Sequence, residues 1–343
     1  MRGCAMTERS SDPAIWLPTI RAGTGADVFT RRLCDGLNAR GIRAEITWLP
    51  HRAEYLPWMM PIPRPPGWAN IVHVNSWLPR RFWPKTLPVV VTIHHLVHDP
   101  AYQPFRSLAQ AAYHNLLIRP RELRAILASN AVTTVSNYVR RTVVAFSGRN
   151  DIGMIHNWID LDAFSPAEPG VARKVGPFRL FMAGSRSRRK GIDLLPAFTA
   201  ALGPGFEVRY AGGAMNLHSP IGGVVELGRI GQAELIREYR GCDAVVSLSR
   251  YEGFGYTALE AMACGKPFLG FRTSALPELI AEGDGVLVPI GDVRALAAAA
   301  IGLKERLEET GGAGVVGRNR IVQEFSVANL DDYVALYGRL MGQ

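Results

Sequence analysis

Ser249-Arg-Tyr-Glu-Gly-Phe-Gly-Tyr-Thr-Ala-Leu-Glu-Ala-Met-Ala-Cys-Gly-Lys-Pro267 directly follows the apolar run Ala244–Leu248. A short apolar run, a glycine turn and then a helix-favouring stretch read as one strand–loop–helix unit. Gly253 and Gly255 permit a tight turn with close backbone approach. The helix is predicted to begin near Tyr256 and to stop at Gly265, with Pro267 beyond it. Such an N-terminus presents amide N–H groups and a partial positive charge, where a phosphate or a sugar hydroxyl can dock. Glu252 stands at the mouth of the turn and Glu260 lies eight residues on, in the helix. Carboxylates so placed can accept paired hydrogen bonds from a sugar diol. Either glutamate alone would read as a helix-dipole or surface residue; the whole string carries the functional reading.

Outward from this unit, the same alternation recurs along the chain. In the first half the predicted strands are Ala14–Pro18, Ile42–Leu49, Asn70–Val74, Pro88–Ile93, Val132–Val135 and Ile152–Ile155. In the second half they are Arg179–Ala183, Glu207–Ala211, Val224–Leu227, Ala244–Leu248, Pro267–Gly270 and Gly285–Val288. Most are continuous apolar runs, the pattern of parallel strands covered on both faces. Helix patterns separate them. Phe29, Leu33 and Leu37 share a face ahead of Gly41, Leu108–Leu127 is interrupted by Pro120, and Arg294–Leu307 is rich in alanine. The pattern predicts an α/β fold of two Rossmann-like domains with parallel sheets facing an interdomain cleft. The expected boundaries are 12–165 for the first domain, 176–325 for the second, and 326–343 for a helix crossing back to the first. The proline- and glycine-rich stretch Asp160–Gly176 is the expected linker.

Bulk properties agree with two domains. The 343 residues exceed the roughly 250–300 at which single cores stop growing. A hydrophobic fraction of 48% argues against disorder. The net charge of +9 favours phosphate-bearing partners without choosing among them. Basic residues are dispersed and no nucleic-acid motif is present, so no nucleic-acid partner is expected. Cys4, Cys34, Cys242 and Cys264 have no metal-binding or disulfide spacing and read as reduced thiols. No stretch suits a transmembrane helix or a secretory signal, so a cytoplasmic location is expected.

Trp48–Lys85 stands apart in composition. It holds Trp48, Trp58, Trp68, Trp77 and Trp83, a proline-rich run from Pro61 to Pro66, and Arg64, Arg80, Arg81 and Lys85. The prolines forbid a long helix. Aromatic and basic residues together suit a membrane interface or a lipid-linked acceptor, giving an expected peripheral contact through the first domain. The competing reading is a long loop that packs its tryptophans on its own domain.

Glu252-Gly-Phe-Gly followed by Glu260 and Ala-Met-Ala-Cys-Gly-Lys-Pro resembles the signature of glycosyltransferase family 4, retaining enzymes of the GT-B fold. Further matches fall in the family's order. Phe181-Met-Ala-Gly184 with Lys190-Gly191 is similar to its phosphate-binding strand–loop–helix. Thr133-Thr-Val-Ser136, Ile155-His-Asn-Trp-Ile-Asp160 and Phe164-Ser-Pro166 are similar to the end of its first domain. Gly23-Thr-Gly25 resembles its N-terminal glycine loop, and Thr92-Ile-His94 the strand end bearing its active-site histidine. The resemblance spans nearly the whole chain and is most specific over residues 180–295.

The resemblance implies transfer of a hexose from a UDP-, GDP- or ADP-linked donor to a hydroxyl, with the anomeric configuration kept. The acceptor is expected to be a saccharide or lipid-linked glycan in cell-surface or exopolysaccharide synthesis. Glu252, His94 and Lys190 are the implied catalytic residues. Lys190 would bind the donor diphosphate, offsetting charge that grows as the nucleotide leaves. Glu260 would hold the ribose; Glu252 and the backbone of Gly253, Phe254, Gly255 and Tyr256 would hold the sugar. Gly23 and Gly25 would line the donor loop. The base would be read by backbone near Leu227–Ile230. The departing phosphate would take the acceptor's proton, so no separate carboxylate base is needed. The nucleotide sugar is a co-substrate; no cofactor and no metal are expected.

Two departures stand out. Ser185 occupies a position where the family usually has arginine, and Arg186 is the expected replacement as phosphate ligand; the alternative is that the arginines from Arg186 to Arg189 form a solvated basic face. His95 follows His94 where the family often has aspartate. Asp160-Leu-Asp162 has the form of a metal motif but matches the family's linker string. Two other readings compete: an oxidoreductase, which would need the full GxGxxG that Gly23-Thr-Gly25 lacks, and a catalytically inactive nucleotide-binding or scaffold protein of the same fold.

Overall fold

The computed structural model describes residues 12–168, 176–213, 221–309 and 318–342. The N-terminal stretch before Asp12 and the centre of the Asp160–Gly176 linker lie outside the described residues. The chain forms two compact units. One comprises residues 12–98, 112–157 and 327–342; the other, residues 99–111 and 158–326.

The first unit holds β1 (Ile15–Ile20), β2 (Ala44–Leu49), β3 (Ile71–Asn75), β4 (Val89–Ile93), β5 (Ala131–Thr134) and β6 (Ile152–Met154). They form one parallel sheet in the order β2-β1-β3-β4-β5-β6. The second unit holds β7 (Phe178–Ala183), β8 (Phe206–Ala211), β9 (Val224–Gly228), β10 (Ala244–Ser247), β11 (Phe268–Phe271) and β12 (Gly285–Val288). These are also all parallel, in the order β12-β11-β10-β7-β8-β9. Every predicted strand is present, its bounds displaced by at most two residues.

The apolar runs are continuous because both faces are covered. On β7, Phe178, Leu180 and Met182 share one core with Leu195, Phe198 and Leu202 of one helix and Leu296, Ala297 and Ala300 of another. Phe181 points to the opposite face, where its ring meets the edge of Tyr239 at 5.0 Å. Both sets are at most 5% exposed; the polar exception on β7, half-buried Arg179, pairs with Glu207 of β8 at 3.4 Å.

Pro120 interrupts the long helix pattern without breaking it. The run passes from α-helical Leu108–Tyr113 through a π turn at His114–Ile118 into Arg119–Ala128. Proline lacks an N–H and crowds the carbonyl four residues back, and the wider turn accommodates both. Asp99–Ala111, which precedes this turn, packs with the second unit. There Tyr102 meets Tyr251 at 5.3 Å and Phe105 lies under the Arg250 guanidinium at 5.4 Å.

The last helix, Leu330–Met341, belongs to the first unit and buries Leu330, Tyr333 and Tyr337 along one stripe. Tyr337 OH is 2.5 Å from Nδ1 of His73 on β3, and His73 Nε2 is 2.7 Å from Thr92 Oγ1 on β4. Thr92 in turn pairs with Thr133 of β5 at 2.7 Å and with Tyr333 OH at 3.4 Å. A buried polar chain thus ties the helix to three neighbouring strands.

Burial, with a smaller contribution from His94, lowers the His73 pKa to about 3. The unfolded value is about 6.5, so the unfolded chain binds the extra proton first. The contribution of neutral His73 is therefore full above pH about 6.5 and is lost as pH falls toward its folded value. Chemical denaturation should show stability dropping by a few kcal/mol, in order of magnitude, between pH about 6.5 and 4. His73→Gln should show a shallower pH dependence over that window. An equal slope would place the proton uptake elsewhere.

Candidate functional site

In the second unit the strand order reverses between β7 and β10: β8 and β9 continue to one side, β11 and β12 to the other. At such a reversal, the loops leaving the carboxyl ends of the two central strands diverge and leave a crevice for a ligand. The loop after β7 carries Ser185, Arg186, Arg189 and Lys190; the loop after β10 carries Glu252 to Gly255.

The first loop closes in a 3₁₀ turn, Arg188–Lys190, capped by Ser187 Oγ, which accepts from the Lys190 amide at 3.3 Å. Gly191 follows with φ +72°, and a Cβ there would fall 1.9 Å from the Leu248 carbonyl oxygen. Only glycine lets this loop lie directly on the end of β10. The Arg250 amide completes the contact by donating to the Arg189 carbonyl at 2.8 Å. Arg250 also forms a two-pronged pair with Asp193 at 2.7 and 2.8 Å, fastening the loops together from outside.

This packing brings Lys190 to Glu252, whose Oε1 accepts from the Lys190 ammonium. The two side chains are 17% and 12% exposed. Arg189 Nη1 stands 3.9 Å from the other oxygen, Oε2, and donates to the Tyr251 carbonyl at 3.1 Å. Burial pushes the Glu252 carboxyl upward, but Lys190 and then Arg189 outweigh it and hold the group below the usual carboxylate range. The loop after β11 fixes the Glu252 backbone from the other side. The Glu252 amide donates to Ser274 Oγ at 3.3 Å, and the Ala275 amide donates to the Glu252 carbonyl at 3.2 Å. Ser274 is the one non-glycine among the described residues with a left-handed backbone, φ +46°. Strain of that kind persists where surrounding contacts over-determine the conformation.

Gly255 caps the helix Tyr256–Ala263 at φ +102° with no side chain. Phe254 is 5% exposed and packs against Tyr256 and Phe325, so it offers its backbone rather than its ring. Glu260 Oε2 accepts from the Tyr239 hydroxyl at 3.0 Å. Burial foremost, then Glu260, drives the Tyr239 phenol well above its ordinary pKa, so it remains a donor. Tyr239 is fully buried and fixes this carboxylate from below.

Arg186 and Ser185 are exposed on their loop, where the Arg186 charge acts on Tyr210. The cation that faces Glu252 beside Lys190 is Arg189. The sequence contains four arginines or lysines within five positions, Arg186 to Lys190; Arg189 and Lys190 belong to the 3₁₀ turn, and Arg186 precedes its cap.

In the first unit, His94 follows β4 and its Nε2 lies 3.1 Å from Asn75 Oδ1 at the end of β3. Its ring meets Phe29 edge-on at 4.8 Å, and burial lowers its pKa to about 4, so the imidazole is neutral. Gly23 adopts φ +69°, and Asp27 accepts from its amide at 2.7 Å and from that of Ala22 at 3.1 Å. Gly25 opens the helix Gly25–Ala39. Sequence reading passed over Asp27, although an acidic residue in a first helical turn is a recognisable signal. It also passed over Glu122, which is fully buried and accepts from Trp77 at 2.9 Å and Ser76 at 3.3 Å, and lies 3.2 Å from His98. Glu122 thereby gathers the loops after β3 and β4.

Asp160 Oδ1 accepts from the Ala163 amide at 3.0 Å and so closes a turn. Among the described residues no group of three or more His, Cys, Asp or Glu side chains is placed to hold a metal ion.

Two family descriptions match in tandem. "Glycosyltransferase Family 4" covers residues 64–163 and "Glycosyl transferases group 1" covers residues 153–306. The D-inositol 3-phosphate glycosyltransferase of Mycolicibacterium smegmatis is 27% identical over 257 residues, 66% of this chain but 58% of that protein. The chain therefore spans little more than half the length of that curated relative. Among solved structures, sucrose-phosphate synthase from Thermosynechococcus elongatus superposes with a TM-score of 0.76 at 19% identity, covering 96% of this chain and 99% of the other. Anabaena HepE in complex with UDP and glucose gives 0.69 at 16% identity, covering 95% and 98%. With both family descriptions falling in order along the sequence, and two parallel six-stranded sheets carrying their strand-end loops, the chain belongs to glycosyltransferase family 4 and has the GT-B fold.

Proposed function

We propose that this chain is a retaining glycosyltransferase that moves a hexose from a nucleoside-diphosphate sugar to a hydroxyl of a saccharide or lipid-linked glycan. The observation that carries the reading is the Lys190–Glu252–Arg189 cluster at the strand reversal of the second unit, with Glu260 on the next helix. HepE, which shares the fold, is a complex with UDP and glucose, and this supports a nucleotide-sugar donor.

The chemistry follows from the charges. A diphosphate is a stronger and more divided anion than one carboxylate, so it competes with Glu252 for Lys190 and Arg189. As the glycosidic bond breaks, charge gathers on the departing phosphate, and a cation fixed beforehand stabilises it with little reorganisation. Released from Lys190, Glu252 accepts from the donor sugar's hydroxyls. Glu260, held by Tyr239, accepts from the ribose diol. We assign neutral His94 to the reacting face of the sugar, where it donates or accepts a hydrogen bond without adding charge. The departing phosphate takes the acceptor's proton, which leaves the acceptor oxygen to attack the anomeric carbon on the face the nucleotide vacates. Participation in cell-surface or exopolysaccharide synthesis is the matching role for such a product.

Thermal melting of the purified chain with UDP, GDP and ADP tests the donor site directly. One diphosphate should stabilise by about 2.7 kcal/mol at a hundred times its dissociation constant. Glu260→Ala and Lys190→Ala should each erase the shift, and Tyr239→Phe should reduce it while leaving the fold intact. No shift with any diphosphate would count against the reading and favour an inactive member of the family. Once a donor is found, Lys190→Ala should lower kcat by about 10²–10³-fold, as removal of one charge-stabilising donor does elsewhere. Proton NMR of the first product formed should show the donor's anomeric configuration; an inverted product would refute the retaining assignment.

A further inference from the structure

The tryptophan-rich segment divides into engaged and unengaged residues. Trp48 lies under Arg21 and Arg31, Trp68 under Arg43, Trp77 donates to Glu122, and Trp83 donates to the Leu78 carbonyl. Trp58 is 64% exposed, and so is Met59; with Tyr55, Leu56 and Ile62 they form a run of five exposed apolar or aromatic side chains between residues 55 and 62. The run is well anchored. Ala53, Glu54 and Pro57 are buried beneath it, Glu54 takes the Tyr113 hydroxyl on its carboxylate, and its carbonyl accepts from Arg121 at 2.6 Å. The backbone is a short helix, Arg52–Tyr55, then a 3₁₀ turn, Pro57–Met59, then a proline-rich extended stretch. A core side chain that large would normally be covered, so an exposed ridge held this firmly points to a partner.

Charge identifies the partner. Residues 50–98 contain Arg52, Arg64, Arg80, Arg81 and Lys85, all exposed, and a single acidic residue, Glu54, which is 3% exposed. Arg81 donates to the Met60 carbonyl at 3.3 Å, which places its guanidinium beside the ridge. A second copy of the chain would bring the same cations against these, so like charge opposes self-pairing. An anionic bilayer offers the complement: phosphates for the cations, the headgroup layer for the indole of Trp58, and the acyl boundary for Met59 and Ile62. We infer that Tyr55–Ile62, with Arg81 beside it and exposed Arg52 and Arg64 flanking it along the chain, is a docking ridge for an anionic membrane surface. The inference stands on these side chains and not on the transferase reading.

Co-sedimentation of the full chain with phosphatidylcholine vesicles, with and without phosphatidylglycerol, tests it. Binding is expected to the phosphatidylglycerol vesicles and to fall with added salt. Trp58→Ser combined with Ile62→Ser, both at exposed positions, should weaken binding by about tenfold or more while the melting curve stays unchanged. Arg64→Ser should weaken it by about fivefold, the effect of one cation near the surface. No binding to the anionic vesicles, equal binding to the neutral ones, or full binding by the double variant would overturn the assignment. Self-association in sedimentation velocity that disappears in the double variant would instead make the ridge a face between copies, and would overturn it too.

Discussion

A carboxylate withdrawn from water and faced by two cations is costly unless its partners are held in place, because removing one leaves a buried charge alone. Around Glu252 the second unit meets that demand from three directions. The loop after β7 supplies Lys190 and Arg189, the loop after β11 supplies Ser274 and Ala275 to the backbone, and β10 supplies the loop itself. Gly191 lets the first of these loops reach β10, and the Arg250–Asp193 pair prevents it from drifting away. The arrangement sets the cations at the strand reversal in advance of any ligand. A diphosphate arriving there meets charge already oriented, which is the condition for stabilising a leaving group efficiently.

The parts of this design that were legible in the sequence are those governed by local rules. Buried parallel strands must be apolar at consecutive positions, so β7 and β10 announce themselves in Phe178–Ala183 and Ala244–Ser247. Gly255 marks the turn and Gly265 the helix end, because few other residues take their left-handed backbone angles. Arg189 was not legible. Arg186, Arg188 and Arg189 are the same letter within four positions, and only the folded loop shows that Arg189 is the one beside Glu252. Ser274 was equally silent, since a strained serine has the same letter as a relaxed one. At Pro120 the sequence carries an interruption, but whether a helix breaks or widens to a π turn is settled by what packs against it.

The tryptophan segment teaches a related point. Composition alone could not separate a lipid-facing surface from a loop folded on itself, and the structure contains both. Four indoles find cations or hydrogen-bond acceptors within the first unit, while Trp58 does not enter the core at all. Aromatic content is thus an average over two roles. The division follows from geometry: indoles next to strands β2 and β3 or to the buried Glu122 have somewhere to go, and one at the crest of a proline-stiffened ridge has not.

The polar chain from His73 to Tyr337 carries a consequence for how the polypeptide is made. β1 begins at Ile15, yet the core of the first unit also needs Tyr333 and Tyr337, more than three hundred residues later. During synthesis the first sheet therefore emerges early, and the His73 imidazole lacks its Tyr337 partner until the last helix has been translated. The second unit, residues 99–111 and 158–326, is by then fully translated, ahead of the last helix that the first unit needs. Translation order and completion order are inverted for these two units, and the nascent first half is the part most dependent on protection from premature contacts.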